Sequence, residues 1–157
     1  IKKYKNIKIL KNSTKTFKDI QILGHSGYRD LKDKGIIKPR YPKKVKLKNK
    51  KWNDDLNKLF SKIKKDKTTI FLAHEPPFKT KLDKIGWKKS PMYGKQIGDE
   101  YYRKFLLSKK PNYMVCGHIH ETFGKTRLGK TTILNSCYSP AKNFLVLDTK
   151  TKKVKFY

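Results

Sequence analysis

Two short apolar runs, each ending in histidine, dominate the hydrophobic pattern of the chain. Thr68-Thr-Ile-Phe-Leu-Ala73 is followed by His74, and Tyr113-Met-Val-Cys116 leads through Gly117 into His118-Ile-His120-Glu121. Runs of β-branched, aromatic and aliphatic residues that stop at glycine or proline read as buried strands. A helical stripe precedes each run. Trp52, Leu56, Leu59, Phe60 and Ile63 share one helical face, with Asn53 or Asp54 as the expected cap and Lys62, Lys64 and Lys65 near the carboxyl end. Tyr102, Phe105 and Leu106 share a face of a second helix, capped by Asp99 and ended before Pro111. The order helix, strand, helix, strand predicts an α/β architecture.

The flanks carry weaker patterns. Lys5 to Leu10 and Asp19 to Leu23 predict a hairpin or two sheet strands. The second ends in Gly24-His25-Ser26-Gly27-Tyr28, read as an ordinary surface turn with His25 a loop histidine; the alternative is a tight loop whose amides approach a phosphate. From Lys32 to Lys51 half the residues are Lys or Arg, with Pro39 and Pro42, and no period emerges, so an exposed, solvated loop is expected. Phe78 to Ile97 is also without a period. It is expected to wall the groove beside His74, with Trp87 or Tyr93 either stacking on a base or aryl group or packing under the loop. Asp83 is expected to hold that loop. After Glu121, Phe123 to Arg127 and Lys130 to Leu134 predict strands, followed by a terminal hairpin of Asn143 to Leu147 and Lys152 to Tyr157. These strands are expected to belong to a second, antiparallel sheet.

In extended backbone, residues i and i+2 point the same way. His118 and His120 are therefore expected to face one point beyond the strand's carboxyl end, the edge where open α/β sheets bind ligands. Two exposed loop histidines would give the same text. His74, however, ends the other strand, and Pro76 and Pro77 hold the chain extended after it. Neutral imidazole is the commonest protein metal ligand, so a metal site shared by His74, His118 and His120 is the economical expectation.

Strand-His-x-Pro-Pro, then strand-Cys-Gly-His-x-His-Glu, then Gly-x-Thr and Asn-Ser resembles the C-terminal half of the calcineurin-like metallophosphoesterase superfamily. The likeness extends to its His-x-Pro-Pro-x-x-Thr-x-Leu-Asp text, here His74 to Asp83, and covers Thr68 to Asn135. It implies the C-terminal portion of a four-layer α/β/β/α sandwich, with two divalent metal ions (Mn, Fe or Zn) at one sheet edge. By that resemblance His74 and His118 bind one metal with an Asn from an earlier motif, and His120 binds the other. Glu121 and Asn135 are candidates for orienting those ligands.

The chain departs from the family pattern elsewhere. It has no Asp-x-His and no Gly-Asn-His, and its only Gly-Asp, Gly98-Asp99, reads as a helix cap. The bridging carboxylate and several other ligands of the family are therefore missing. Together with a chain that opens on Ile1 rather than Met, this leads to the expectation that residues 1–157 are the C-terminal part of one domain, completed by an N-terminal half or a complementary chain.

Composition changes this picture only in part. The formal net charge is +29, almost all of it lysine, with Arg29, Arg40, Arg103 and Arg127 the only arginines. Lysine is a compact point charge and a poorer base reader than arginine, so non-specific, salt-sensitive attraction of polyanions and phosphoester substrates is expected. Cys116 and Cys137 are too few for a disulfide framework. No long apolar run or signal-peptide core occurs, which leads to an expectation of no membrane partner and a cytoplasmic location. The function expected is hydrolysis of phosphoesters, mono- or diesters, through a two-metal centre. The alternatives are a catalytically inactive phosphoesterase-like scaffold and a basic nucleic-acid-binding module. The three retained histidines argue against the former, and the lysine bias and lack of an aromatic RNA-binding motif against the latter.

Overall fold

The computed structural model describes residues 7–136 and 143–157, so Cys137 lies outside the described residues. In chain order the elements are β1 (Ser13–Phe17), β2 (Ile20–Gly24), α1 (Pro42–Phe60), β3 (Thr68–Leu72), α2 (Glu100–Lys109) and β4 (Tyr113–Cys116), followed by β5 (Gly124–Leu128), β6 (Thr131–Asn135), β7 (Leu145–Leu147) and β8 (Val154–Phe156). Six of the strands form one sheet in the order β1-β2-β3-β4-β6-β5, and β7 and β8 form a separate two-stranded sheet. The inner strands β2, β3, β4 and β6 run parallel. The two edge strands are antiparallel to their neighbours. The result is a mixed α/β fold with a mostly parallel central sheet.

Both helices cover one face of that sheet. Successive strand residues point to opposite faces, and the cross-strand row Leu23, Phe71, Met114, Ile133 points at the helices. Leu56, Leu59 and Phe60 of α1 and Tyr102, Phe105 and Leu106 of α2 meet it. Phe60 lies 4.8 Å from Phe71 and 5.3 Å from Phe105, ring centre to ring centre, which ties the helices to each other through the sheet. Fully burying such a side chain contributes roughly 1.5–3 kcal/mol. On the opposite face Ile22, Ile70 and Val115 are only half-buried, and Phe17 and Leu72 are exposed.

Several expectations are corrected here. The N-terminal hairpin is β1 with β2; of the expected Lys5 to Leu10 strand, residues 5 and 6 lie outside the described residues, residues 7–10 form no strand, and Leu10 crosses over Gly24 instead. A Cβ on Gly24 would lie 2.4 Å from the Leu10 Cβ, so only glycine admits the crossing. The lysine-rich segment is not a loop throughout, because α1 begins at Pro42, with Pro at the first helical turn and no side-chain cap, ten residues before the apolar stripe starts. Its first turns offer only Val45 and Leu47 as apolar side chains, and Asn49 stands where the stripe would continue, so a hydrophobic pattern has too few apolar positions there to show a helical period. Strands β5 and β6 join the main sheet rather than a second one, β6 pairing in parallel with β4. Helix α2 begins as expected: the Asp99 side chain accepts a hydrogen bond from the Tyr102 amide at 2.9 Å.

Candidate functional site

The carboxyl ends of β3 and β4 are neighbours in the sheet, with Leu72 paired to Val115. The two histidine segments therefore leave the sheet side by side, and the Gly117 amide donates to the His74 carbonyl at 2.9 Å. The side chains meet as well. His74 Nε2 and His118 Nδ1 are 2.9 Å apart.

His118 reaches this position by a bent backbone, not an extended one. Its φ is +75°, and the Ile119 amide donates to the Gly117 carbonyl at 3.0 Å, so His118 is the centre of a γ-turn of the rare, positive-φ kind. Such a conformation costs about 1–3 kcal/mol in a non-glycine residue and persists where the surroundings fix it. The expectation that His118 and His120 align by strand alternation is thus corrected: His120 opens a single 3-10 turn, His120–Thr122. His120 is exposed and shares a cavity wall with His118, but among the described residues no group of three or more His, Cys, Asp or Glu is placed to hold a metal ion. The structure thus brings His74 and His118 together and leaves His120 beside them.

Asn135 secures the bend. It is fully buried at the end of β6 next to Cys116, and its Nδ2 donates to the carbonyls of Ile119 at 2.9 Å and Thr122 at 3.1 Å and to Thr122 Oγ1 at 2.8 Å. One amide therefore holds the whole 119–122 segment that carries His120 and Glu121.

The segment after His74 is pinned from below. Glu75 is fully buried, accepts from the Arg29 amide at 2.8 Å, and forms an ion pair with Lys34, whose Nζ also donates to the Ile97 carbonyl at 2.6 Å. Arg29 in turn pairs with Asp99 at 3.3 Å and lies over the Tyr101 ring. Desolvation pushes the Glu75 carboxyl up from its usual range, against the opposing pull of Lys34. Burial, followed by the charges of His74, Lys34 and His120, lowers the His118 pKa to about 4. A neutral imidazole is the ligand form.

The loop from 24 to 28 is not a plain surface turn. His25 is buried, with Nδ1 2.9 Å from the Tyr102 hydroxyl and its ring edge-on to Trp52 at 4.4 Å. Its burial holds its pKa down to about 4. With His25 inside, the loop swings Tyr28 outward over the histidine pair, 5.9 Å from the His74 ring and stacked at 6.4 Å on His118. Sequence reading did not single out Tyr28 by role; its neighbour His25 drew the attention, and only burial of that ring shows where Tyr28 points.

The segment 78–97 is a closed excursion rather than a structureless loop. Lys84 and Gln96 form a β-bridge, and Ile85 and Lys95 are joined by a 3.0 Å backbone hydrogen bond. Asp83 sits at its base, fully buried, accepting from the amides of Lys79, Thr80 and Gly98 and from Gln96 Nε2. Desolvation raises the Asp83 pKa against those donors. Gly98 is required there, since a Cβ would stand 2.8 Å from each of Asp83 Cβ, the Phe78 amide nitrogen and the Pro76 carbonyl oxygen. At the tip, Trp87 is exposed on the cavity beside His118 and His120, whereas Tyr93 is exposed away from that wall. Glu121 joins tip to site: its Oε1 accepts from the Gly86 amide at 2.9 Å and the Trp87 amide at 3.1 Å. Desolvation opposes ionisation of Glu121, but the amides of Glu121 itself, Gly86 and Trp87 outweigh it and hold the carboxyl below its usual range.

The imidazole pair thus stands at the carboxyl edge of adjacent parallel strands, where open α/β sheets bind their ligands. The model of the calcineurin-like phosphoesterase family matches residues 2–122, and the chain belongs to that family. A curated relative, the uncharacterized protein MJ1162 of Methanocaldococcus jannaschii, is 32% identical over 100 residues, covering 62% of this chain and 43% of that protein. One crystal structure superposes on 98% of the chain with a TM-score of 0.64 at 18% identity, and the crystal structure of TT1561 of Thermus thermophilus on 93% with a TM-score of 0.52 at 15% identity. The chain spans 55% and 56% of those two structures and less than half of the curated relative. No helix among the described residues is long and apolar enough to cross a membrane.

Proposed function

We propose that this chain supplies the histidine side of a two-metal centre that hydrolyses phosphoesters, in a domain whose carboxylate ligands come from an N-terminal half or from a complementary chain. The observation that carries the reading is the 2.9 Å approach of His74 Nε2 and His118 Nδ1 at one sheet edge. Two nitrogens bound to one ion at about 2.1 Å each, at angles between 90° and tetrahedral, lie roughly 3.0–3.4 Å apart, so the pair fits one ion after a small opening. By the family resemblance, His120 on the adjoining turn would hold the second ion. No carboxylate joins the pair among the described residues, which is why the reading requires one from outside. The half-exposed apolar face of the sheet, with Ile22, Ile70, Leu72 and Val115, supports the same conclusion, since it matches what a second sheet of the sandwich would cover.

Two divalent ions, when bound, supply a water of near-neutral pKa and a clamp for the phosphate oxygens. This chain's residues do the positioning. Asn135 fixes the turn that carries His120, the Glu75–Lys34 pair anchors the chain directly after His74, and burial keeps His118 neutral and ready to bind. The surplus of lysine draws anionic esters toward this edge and holds other polyanions non-specifically. The test is hydrolysis of 4-nitrophenyl phosphate and bis(4-nitrophenyl) phosphate by the longest natural polypeptide containing these residues, with Mn²⁺, Fe²⁺ or Zn²⁺ added. Metal-dependent turnover that His118→Ala lowers at least a hundredfold is expected. Absence of turnover with every metal and ester supports the inactive scaffold instead.

A further inference from the structure

Resting on that reading, we propose that Trp87 selects the ester: its indole receives a planar aromatic substituent of the phosphoester, an aryl group or a nucleobase. Trp87 is 61% exposed although it is among the largest apolar side chains, and it lines a cavity of about 630 Å³ together with Ile85, His118 and His120. Exposure alone would mean little on a mobile tip. Here the backbone of the indole-bearing residue is fixed to the metal-binding segment itself. Glu121 Oε1 takes both the Gly86 and the Trp87 amide, and Glu121 directly follows His120, so a change in the distance between Trp87 and the histidines must break charge-assisted hydrogen bonds. Gly86 permits this approach, since a Cβ there would crowd the Glu121 Cγ at 3.3 Å. The base of the excursion is closed independently by the Ile85–Lys95 and Ile85–Gly94 hydrogen bonds. A fixed aromatic face at the edge of a ligand cavity loses little freedom on binding and favours flat π-systems over alkyl groups. Tyr93, on the same excursion but off this wall, has no such part.

The chemistry distinguishes an aromatic from an alkyl substituent, so the probes are phenylphosphonate and methylphosphonate, which carry the same anionic head and are not hydrolysed. Their dissociation constants are measured by calorimetry with the metal-loaded, full-length protein, alongside hydrolysis of bis(4-nitrophenyl) phosphate. Phenylphosphonate is expected to bind roughly ten- to hundredfold more tightly than methylphosphonate, as stacking on an aromatic face allows. Trp87→Ala is expected to cut that preference at least tenfold, and Trp87→Phe, which keeps a flat ring, to retain most of it. Equal affinities for the two phosphonates in the parent protein, or a preference that Trp87→Ala leaves unchanged, would overturn the inference while hydrolysis itself continues. If neither phosphonate binds and no ester is cleaved, both this inference and the phosphoesterase reading fall. Because the side chain is exposed, a folded Trp87→Ala variant is expected, checked by its unfolding midpoint.

Discussion

His74 and His118, 44 positions apart in the chain, face each other nitrogen to nitrogen at 2.9 Å. Only one proton fits between them, so one ring donates and the other accepts. A metal ion needs the lone pairs of both, so binding must move that proton to the other nitrogen of its own ring. We expect Zn²⁺ titration by calorimetry to show the pair binding as one site. His74→Ala and His118→Ala should each weaken binding at least tenfold, and the double variant scarcely further, since the two act as one site. Equal affinity of a single variant and the parent would remove the pair from the metal site.

His25 makes stability depend on pH in a defined window. Burial lowers its folded pKa to about 4, below the ordinary value of about 6.5. Between those values the unfolded chain binds more protons, so stability is full above about pH 6.5 and falls as the pH drops toward 4. The loss amounts to roughly 3 kcal/mol at most. Urea unfolding at pH 7 and pH 4.5 should show it. His25→Asn, which can still reach the Tyr102 hydroxyl from a position near that of Nδ1, should be less stable at pH 7 but flatter with pH. An unchanged pH slope in that variant would assign the dependence to other groups.

Lys34 and Glu75 form a pair buried from solvent on both sides. Removing one partner leaves the other charge uncompensated, which costs about 3–5 kcal/mol in buried pairs. Lys34→Met should therefore destabilise strongly, whereas Lys34→Met with Glu75→Gln should recover much of the loss. Chemical denaturation of the parent and the two variants measures the recovery. If the double variant is as unstable as Lys34→Met alone, packing rather than charge dominates there.

The strands and helices that build the edge were legible because their signals are local: short β-runs leading into histidine, a stripe at helical spacing, and Asp99 as a cap. The imidazole pair was legible in identity but not in geometry. The positive φ of His118 leaves no mark in the sequence beyond a preceding glycine, and alternation along an extended strand was the wrong guide to His120. The start of α1 was hidden because its first turns hold only Val45 and Leu47 as apolar side chains, too few to mark a polar-apolar period. The buried network of Arg29, Lys34, Glu75 and Asp99 joins segments far apart in the chain, and nothing local announces it. Nor did sequence alone place β6 between β4 and β5, because two successive strands after an α/β unit suit either sheet.

The six-stranded sheet ends on both sides in a short antiparallel strand, β1 at one margin and β5 at the other. Among the described residues no further strand pairs with either margin, the situation in which an edge strand can accept a strand from another molecule. Lys15 lies within β1, and Lys125 and Arg127 within β5. An approaching copy would bring cations against cations, so the lysine-rich composition also acts as a barrier to edge-to-edge aggregation. That barrier is electrostatic and reaches only about 10 Å at 0.1 M salt. The same ionic strength that frees the protein from polyanions is therefore the condition under which its own sheet margins would begin to find each other.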